Sequence, residues 1–151
     1  MIRPAIYSDL EPLIYLGYEM HQESRFSELD YNVEKVAHLF TLAVDSEDYL
    51  FLVVEVDCRV VGGFIGYVSP HWFSDDLMAG DFALFVKKEF RGQRSSLKLA
   101  KQYAEWAKSK GVKPEFITAG ISTGVNVQET EKLYSLCGFE KFGSIMSMGS
   151  V

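Results

Sequence analysis

The stretch DFALFVKKEFRGQRSSLKLAKQY, residues 81–103, decides how this chain reads. Residues 81–87 are apolar and aromatic, with the β-propensity of a strand. From Ser95 onward the spacing is helical. Between the two lie Gly92 and a concentration of cations. Lys87, Lys88, Arg91, Arg94, Lys98 and Lys101 stand against a single acid, Glu89, in a chain of net charge −6. A strand that turns through glycine into a helix presents unpaired N–H groups and the positive end of the helix dipole. That combination favours phosphate. Ser95 and Ser96 keep the first turn free of bulk. Two readings stand at this point: a cradle for a diphosphate, and a solvated basic face.

Working outward, the helix runs over 95–110, with Leu97, Ala100, Ala104 and Ala107 on one side and Lys98, Lys101, Glu105 and Lys108 on the other. Gly111 stops it and Pro114 bars its continuation. EFITAGIS (115–122) reads as a buried strand. A helix follows over 126–137, with Asn126 and Glu129 at capping-box spacing and Gly138 as terminator. FEKFGSIMSMG (139–149) reads as a final strand or pair. Upstream, YLFLVVEV (49–56) and VVGGFIGYV (60–68) read as strands joined by a tight turn, the glycines of the second marking a bulge or a close approach. HWFSDDLMAG (71–80) reads as a loop. Residues 1–6 form a short strand. A helix then starts with Ser8 and Glu11 at capping-box spacing, and a second begins near Asn32. The order β-α-α-β-β-β-α-β-α-β predicts a mixed α/β fold, with about four helices covering a largely antiparallel sheet. The 151 residues, 48% of them hydrophobic, suit one domain over 1–151 with a substantial core.

The balance of charge argues against nucleic acid as the main partner. No apolar run reaches membrane length, and acids and Pro12 interrupt the N-terminal segment before it can serve as a leader. The expected location is cytoplasmic, with Cys58 and Cys137 as free thiols. The three histidines are too far apart for a metal spacing, so no metal is expected.

The segment ALFVKKEFRGQRSS resembles the signature of the GNAT superfamily of N-acetyltransferases, in which V-x-x-x-[FY]-R-G leads into an R/Q-x-x-G-x-G/A loop. Val86, Phe90, Arg91 and Gly92 match. Arg94 stands where that pattern has its first glycine, and Ser96 where it has its last small residue. A positive φ at Arg94 would be strained. MIRPAIYSDLEPLIYL resembles the superfamily's opening strand and helix, FLVVEVDCRVVGGFIGYV its central hairpin, and TGVNVQETEKLYSLCGFE its C-terminal N-x-x-x-x-x-LY-x-x-x-GF signature. EMHQESRFSELDYNVEKV and WFSDDLMAGDFALFV resemble members encoded by bacteriophage and bacteria.

The resemblance implies acetyl-CoA as cofactor, bound where the sheet splays between strands 81–87 and 115–122. It implies contacts from Leu84, Phe85, Val86, Arg91, Gly92, Gln93, Arg94, Ser95, Ser96 and Asn126. A backbone N–H near Phe85 or Val86 would polarise the acetyl carbonyl. Tyr134, at the LY position, is the implied general acid. From spacing alone it packs beside Val127, Thr130, Leu133 and Cys137. Asp81 is the leading candidate base, ahead of Glu19, His21 and Glu23. Asn126 also reads as a helix cap. His71, Trp72 and Phe73 form an aromatic loop that walls an acceptor pocket or serves a dimer contact, and full exposure of it is not expected. The acidic remainder favours a cationic acceptor: a polyamine, an aminoglycoside-like amine or a lysine-bearing protein. The implied function is acetyl-CoA-dependent N-acetyl transfer to a primary amine in a ternary complex. The alternative is a GNAT-fold protein without turnover that acts as an interaction module.

Overall fold

The computed structural model describes residues 1–92 and 94–149. In chain order it comprises β1 (Ile2–Pro4), α1 (Leu10–Glu23), α2 (Val33–Asp45), β2 (Tyr49–Val56), β3 (Arg59–Pro70), β4 (Leu77–Val86), α3 (Arg94–Ser109) and α4 (Val127–Leu136). The strands form one antiparallel sheet in the order β1-β2-β3-β4. The mixed α/β architecture with four helices is the expected one. β4 begins at Leu77, inside the segment expected to be loop, because β3 extends to Pro70 and pairs Leu77 there.

The sheet is covered on both faces, which is why β2 is apolar without a break from Tyr49 to Val54 instead of alternating. On one face Leu13, Leu16, Phe40 and Ala43 of α1 and α2 pack on Phe51, Val53, Ile65 and Phe85. On the other, Leu99, Tyr103 and Ala107 of α3 pack on Leu52, Val54, Phe64 and Ala79. Each fully buried aliphatic side chain contributes about 2 kcal/mol by leaving water. The buried stripe of α3 is Leu99, Ala100, Tyr103, Ala104 and Ala107, which adds Leu99 and Tyr103 to the expected face and leaves Leu97 half-buried.

Helix starts differ from the capping expectations. Ser8 does not cap α1. Asp9 holds this corner instead, accepting hydrogen bonds from Ile6 N–H (2.9 Å) and from both terminal nitrogens of Arg3 (2.7 and 3.0 Å). Asn32 caps α2 through Lys35 N–H. Asn126 precedes α4 in the left-handed region (φ 47°), which asparagine tolerates, and its side chain makes no cap bond.

The two C-terminal strands expected from sequence do not form as strands. Residues 117–122 meet β4 at a single parallel bridge, Ala79 to Ile117, where Thr118 N–H donates to Ala79 O (3.0 Å). Residues 140–149 carry no regular secondary structure and are exposed, with Phe142, Ile145, Met146 and Met148 each at least 80% accessible. The physical cause is shared. A parallel ladder that stops after one bridge leaves no continuous edge for a further strand.

Candidate active site at the parting of two strands

The site is built where β4 and residues 117–122 separate. Beyond the bridge, side chains take the positions that a continuing ladder would use. The Tyr103 hydroxyl, from α3, donates to the Thr118 carbonyl (2.7 Å). The Asp81 carboxylate accepts from Gly120 N–H (2.9 Å). Past these two contacts the strands part, and the far edge of β4 is left open.

The register of β4 shows which groups line that edge. Ile65 faces Ala83 and Gly66 faces Asp81, so Phe82 is an extra residue and the strand carries a β-bulge there. Lys87 N–H donates to Val61 O (2.8 Å). Backbone groups alternate between the two edges of a strand, so Phe85 is turned to β3 while Leu84 and Val86 face the opening. The Val86 carbonyl is engaged by Arg91 Nε (2.8 Å). Leu84 and the Val86 N–H thus supply the exposed backbone of the cleft.

Arg91 is more constrained than the basic stretch suggested. Besides Val86, its guanidinium donates to both carboxylate oxygens of Glu23 at the end of α1 (2.9 and 2.7 Å). The pairing holds the Glu23 carboxyl below the usual carboxylate range, chiefly through the hydrogen bond from Arg91. This clamp ties α1 to the end of β4. Next to it, Arg25 N–H donates to Thr123 O (2.9 Å), so the chain after α1 spans the opening between β4 and the segment leading to α4.

Gly92 has φ 78°, and a Cβ there would meet nothing within 4 Å, so glycine is required by conformation and not by space. The left-handed residue of this turn is Gly92, whereas Arg94 opens α3 in helical conformation, which removes the expected strain at Arg94. Arg94, Ser95 and Lys98 line a hollow of about 320 Å³ with Gln102, Met1 and Ile2. Ser96 is half-buried in the same turn. Gln93 lies outside the described residues.

Tyr134 and Asp81 come together on the α3 face. Tyr134 is 5% exposed, and its ring packs edge-on against Phe139 (5.4 Å). Burial first, then the Asp81 charge, pushes its hydroxyl well above the usual tyrosine range. Burial likewise raises the Asp81 carboxyl, against the lowering effect of the Gly120 bond. Among the described residues no sealed side-chain oxygen or nitrogen lacks a partner. The Tyr134 hydroxyl makes no such bond and is therefore not sealed. Two of the three rival bases are otherwise engaged, Glu23 with Arg91 and His21 with the Leu29 carbonyl (2.6 Å), and Glu19 is exposed on α1. Asn126 is exposed, and its side chain is free of the capping role expected of it. Trp72 and Phe73 are 88% and 70% exposed, and Phe73 packs edge-on against both Trp72 and His71 instead of walling a pocket. Sequence reasoning missed Tyr103 and the Arg91–Glu23 pair. The first was legible as a fifth apolar position in the α3 stripe. The second joins residues 68 apart, and nothing local signals it.

A model of the acetyltransferase (GNAT) family matches residues 13–139. The chain belongs to that family, whose members are acyltransferases that use acetyl-CoA. No curated protein matches it in sequence. Similar solved structures include glucosamine-6-phosphate N-acetyltransferase from Arabidopsis thaliana (18% identity, TM-score 0.74, covering 99% of this chain and 97% of that one). Another is an aminoglycoside acetyltransferase from an uncultured soil metagenomic sample (16%, 0.72, 100% and 95%). A third is a predicted acetyltransferase from Clostridium acetobutylicum crystallised with acetyl-CoA (10%, 0.77, 99% and 95%). At these identities the likeness is one of fold. Among the described residues no helix is long and apolar enough to cross a membrane.

Proposed function

We propose that the protein is an acetyl-CoA-dependent N-acetyltransferase acting on a primary amine by direct attack in a ternary complex. The observation that carries this is the parting of β4 from residues 117–122, with open backbone on one side and Asp81 and Tyr134 beside it. The residues present fit the cofactor. Leu84 and the Val86 N–H offer strand-like hydrogen bonds to an extended amide-bearing arm. The opening turn of α3, reached through Gly92, offers N–H groups and positive potential to a diphosphate, with Arg94 and Lys98 adding charge and Ser95 and Ser96 leaving room. Arg91 serves from behind, fixing the end of β4 against α1 through Val86 and Glu23. Acetyl-CoA, when bound, supplies an acetyl group on a thioester.

The chain's own groups do the rest. The Leu84 N–H, on the open edge and nearer to Asp81 than Val86, polarises a carbonyl laid along β4. Asp81, whose carboxyl is raised by burial, is a stronger base than an exposed aspartate and takes a proton from the incoming amine. Tyr134, kept protonated by the same burial, donates a proton to the departing sulfur. Asn126, presented at the start of α4 with its side chain uncommitted, lies with the groups that hold the arm.

Steady-state assay of acetyl transfer with wild type, Asp81→Asn and Tyr134→Phe tests the assignment. Both variants should keep acetyl-CoA affinity and lose about 10²-fold in kcat. Full activity in Tyr134→Phe would remove that residue from the mechanism.

A further inference from the structure

The bulge in β4 does more than open the cleft. It turns Phe82 and Ala83 to the same side of the sheet, the side of α1 and α2, next to Asp81 at the parting point. Ala83 packs into the core there. Phe82 does not, and its ring is 52% exposed. It stacks on Tyr49 (centroids 6.2 Å, 13°) and leans on Tyr67 (4.8 Å, 43°). Tyr67 reaches this position because residue 80 is glycine. A Cβ on Gly80 would lie 2.7 Å from the Tyr67 hydroxyl oxygen. Three aromatic rings thus make a continuous apolar surface beside the reacting position, on the face opposite α3.

Charge says what such a surface suits. Between Lys35 and Lys87 the chain has one Lys or Arg, Arg59, and it lies at the other end of the sheet, at the start of β3. At the Tyr49 and Tyr67 end the two loops that enter β2 and β4 carry Glu47, Asp48, Asp75 and Asp76, all exposed. Lys110 and Lys113 follow α3, which covers the opposite face. Ring faces attract ammonium groups and stack on flat or apolar bodies, whereas a phosphorylated acceptor at this end of the rings meets four acids and no Lys or Arg in these two loops.

Resting on the acetyl-transfer reading above, we propose that the acceptor is a primary amine on an aromatic or apolar body without phosphate, and that Phe82, backed by Tyr67 and Tyr49, reads that body. Phe82 is a specificity-determining residue in this account, and Asp81, the preceding residue but on the α3 face, takes the proton of an amine that reaches through the parting of the strands.

Ligand-observed NMR titration tests this without turnover. 2-Phenylethylamine, spermidine and glucosamine 6-phosphate are compared, with and without coenzyme A, on wild type, Phe82→Ala and Phe82→Leu, each checked for folding by circular dichroism. The account expects 2-phenylethylamine to bind most tightly. It expects Phe82→Ala to weaken that binding about tenfold, as loss of half a phenyl ring's burial predicts, with Phe82→Leu between. Tighter binding of spermidine or the sugar phosphate, equal binding by Phe82→Ala, or no binding by 2-phenylethylamine would overturn it. A separate acetyl-CoA titration keeps the two readings apart. Retained amine binding without acetyl-CoA binding faults the transfer reading, and the reverse faults this one.

Discussion

Tyr103 shows how one hydroxyl shapes a site. Its ring sits in the core, and its oxygen takes the Thr118 carbonyl at the place where a strand ladder would have continued. Tyr103→Phe should cost about 1 kcal/mol in chemical denaturation, the worth of one partly buried hydrogen bond. It should also raise the KM for acetyl-CoA, because residues 118–120 lose an anchor. Asp81 separates into two roles. Asn at 81 still accepts from Gly120 N–H through Oδ1, so position is kept while basicity is lost. The folded carboxyl titrates above its unfolded value, so ionising it counts against the fold as pH rises past about 4. Asp81→Asn should therefore melt no lower than wild type at pH 7 while losing activity. In wild type, the acid limb of kcat/KM should fall at a pH above the ordinary aspartate value of about 4, since the base must be ionised to act. Asp9 runs the other way. The Arg3 hydrogen bonds hold its carboxyl below the usual range, so its contribution is full above about pH 4 and is lost as pH falls through the depressed value. Asp9→Asn should lower stability at pH 7 by about 2 kcal/mol and flatten the acid limb of an unfolding-versus-pH curve.

Elements divide by how local their signals are. β2, β3, α2 and α3 were legible because their own residues carry the pattern: a continuous apolar run for strands covered on both faces, a 3-4 stripe for α3, and Asn32 as a cap. The segment ITAGIS has the composition of a strand, yet its ladder is interrupted by Tyr103 and Asp81, two side chains that only the fold brings there. The run FGSIMSM fails as a strand for the same reason, having no edge to join. The turn proposed to hold a diphosphate was read correctly as strand, glycine and helix, while the clamp behind it was invisible because Glu23 and Arg91 meet only through the crossing of α1 over β4. A double-mutant cycle on Glu23→Ala and Arg91→Ala should return a coupling of roughly 1 kcal/mol. Additive losses would mean that α1 and β4 are held together by other contacts.

Over the whole molecule, charge is segregated along the sheet. Lys87, Lys88, Arg91, Arg94 and Lys98 gather where β4 ends and α3 begins, while Glu47, Asp48, Asp75 and Asp76 lie at the opposite end. An acidic chain can therefore still attract a polyanion at one point, and its remaining surface suits a cationic partner. The exposed apolar segment 140–149 and the short bridge at Ile117 make the C-terminal quarter the least tied part of the fold, and its amides should be among the first to exchange in a hydrogen-exchange experiment. The central claim is that the cations and the open β4 edge serve acetyl-CoA. The most direct measurement is an isothermal titration of the protein with acetyl-CoA beside an Arg94→Ala, Lys98→Ala double variant. The account predicts saturable one-site binding that weakens in the variant and falls with added salt. No binding to the wild type at near-millimolar acetyl-CoA would contradict it and leave the fold as an interaction module.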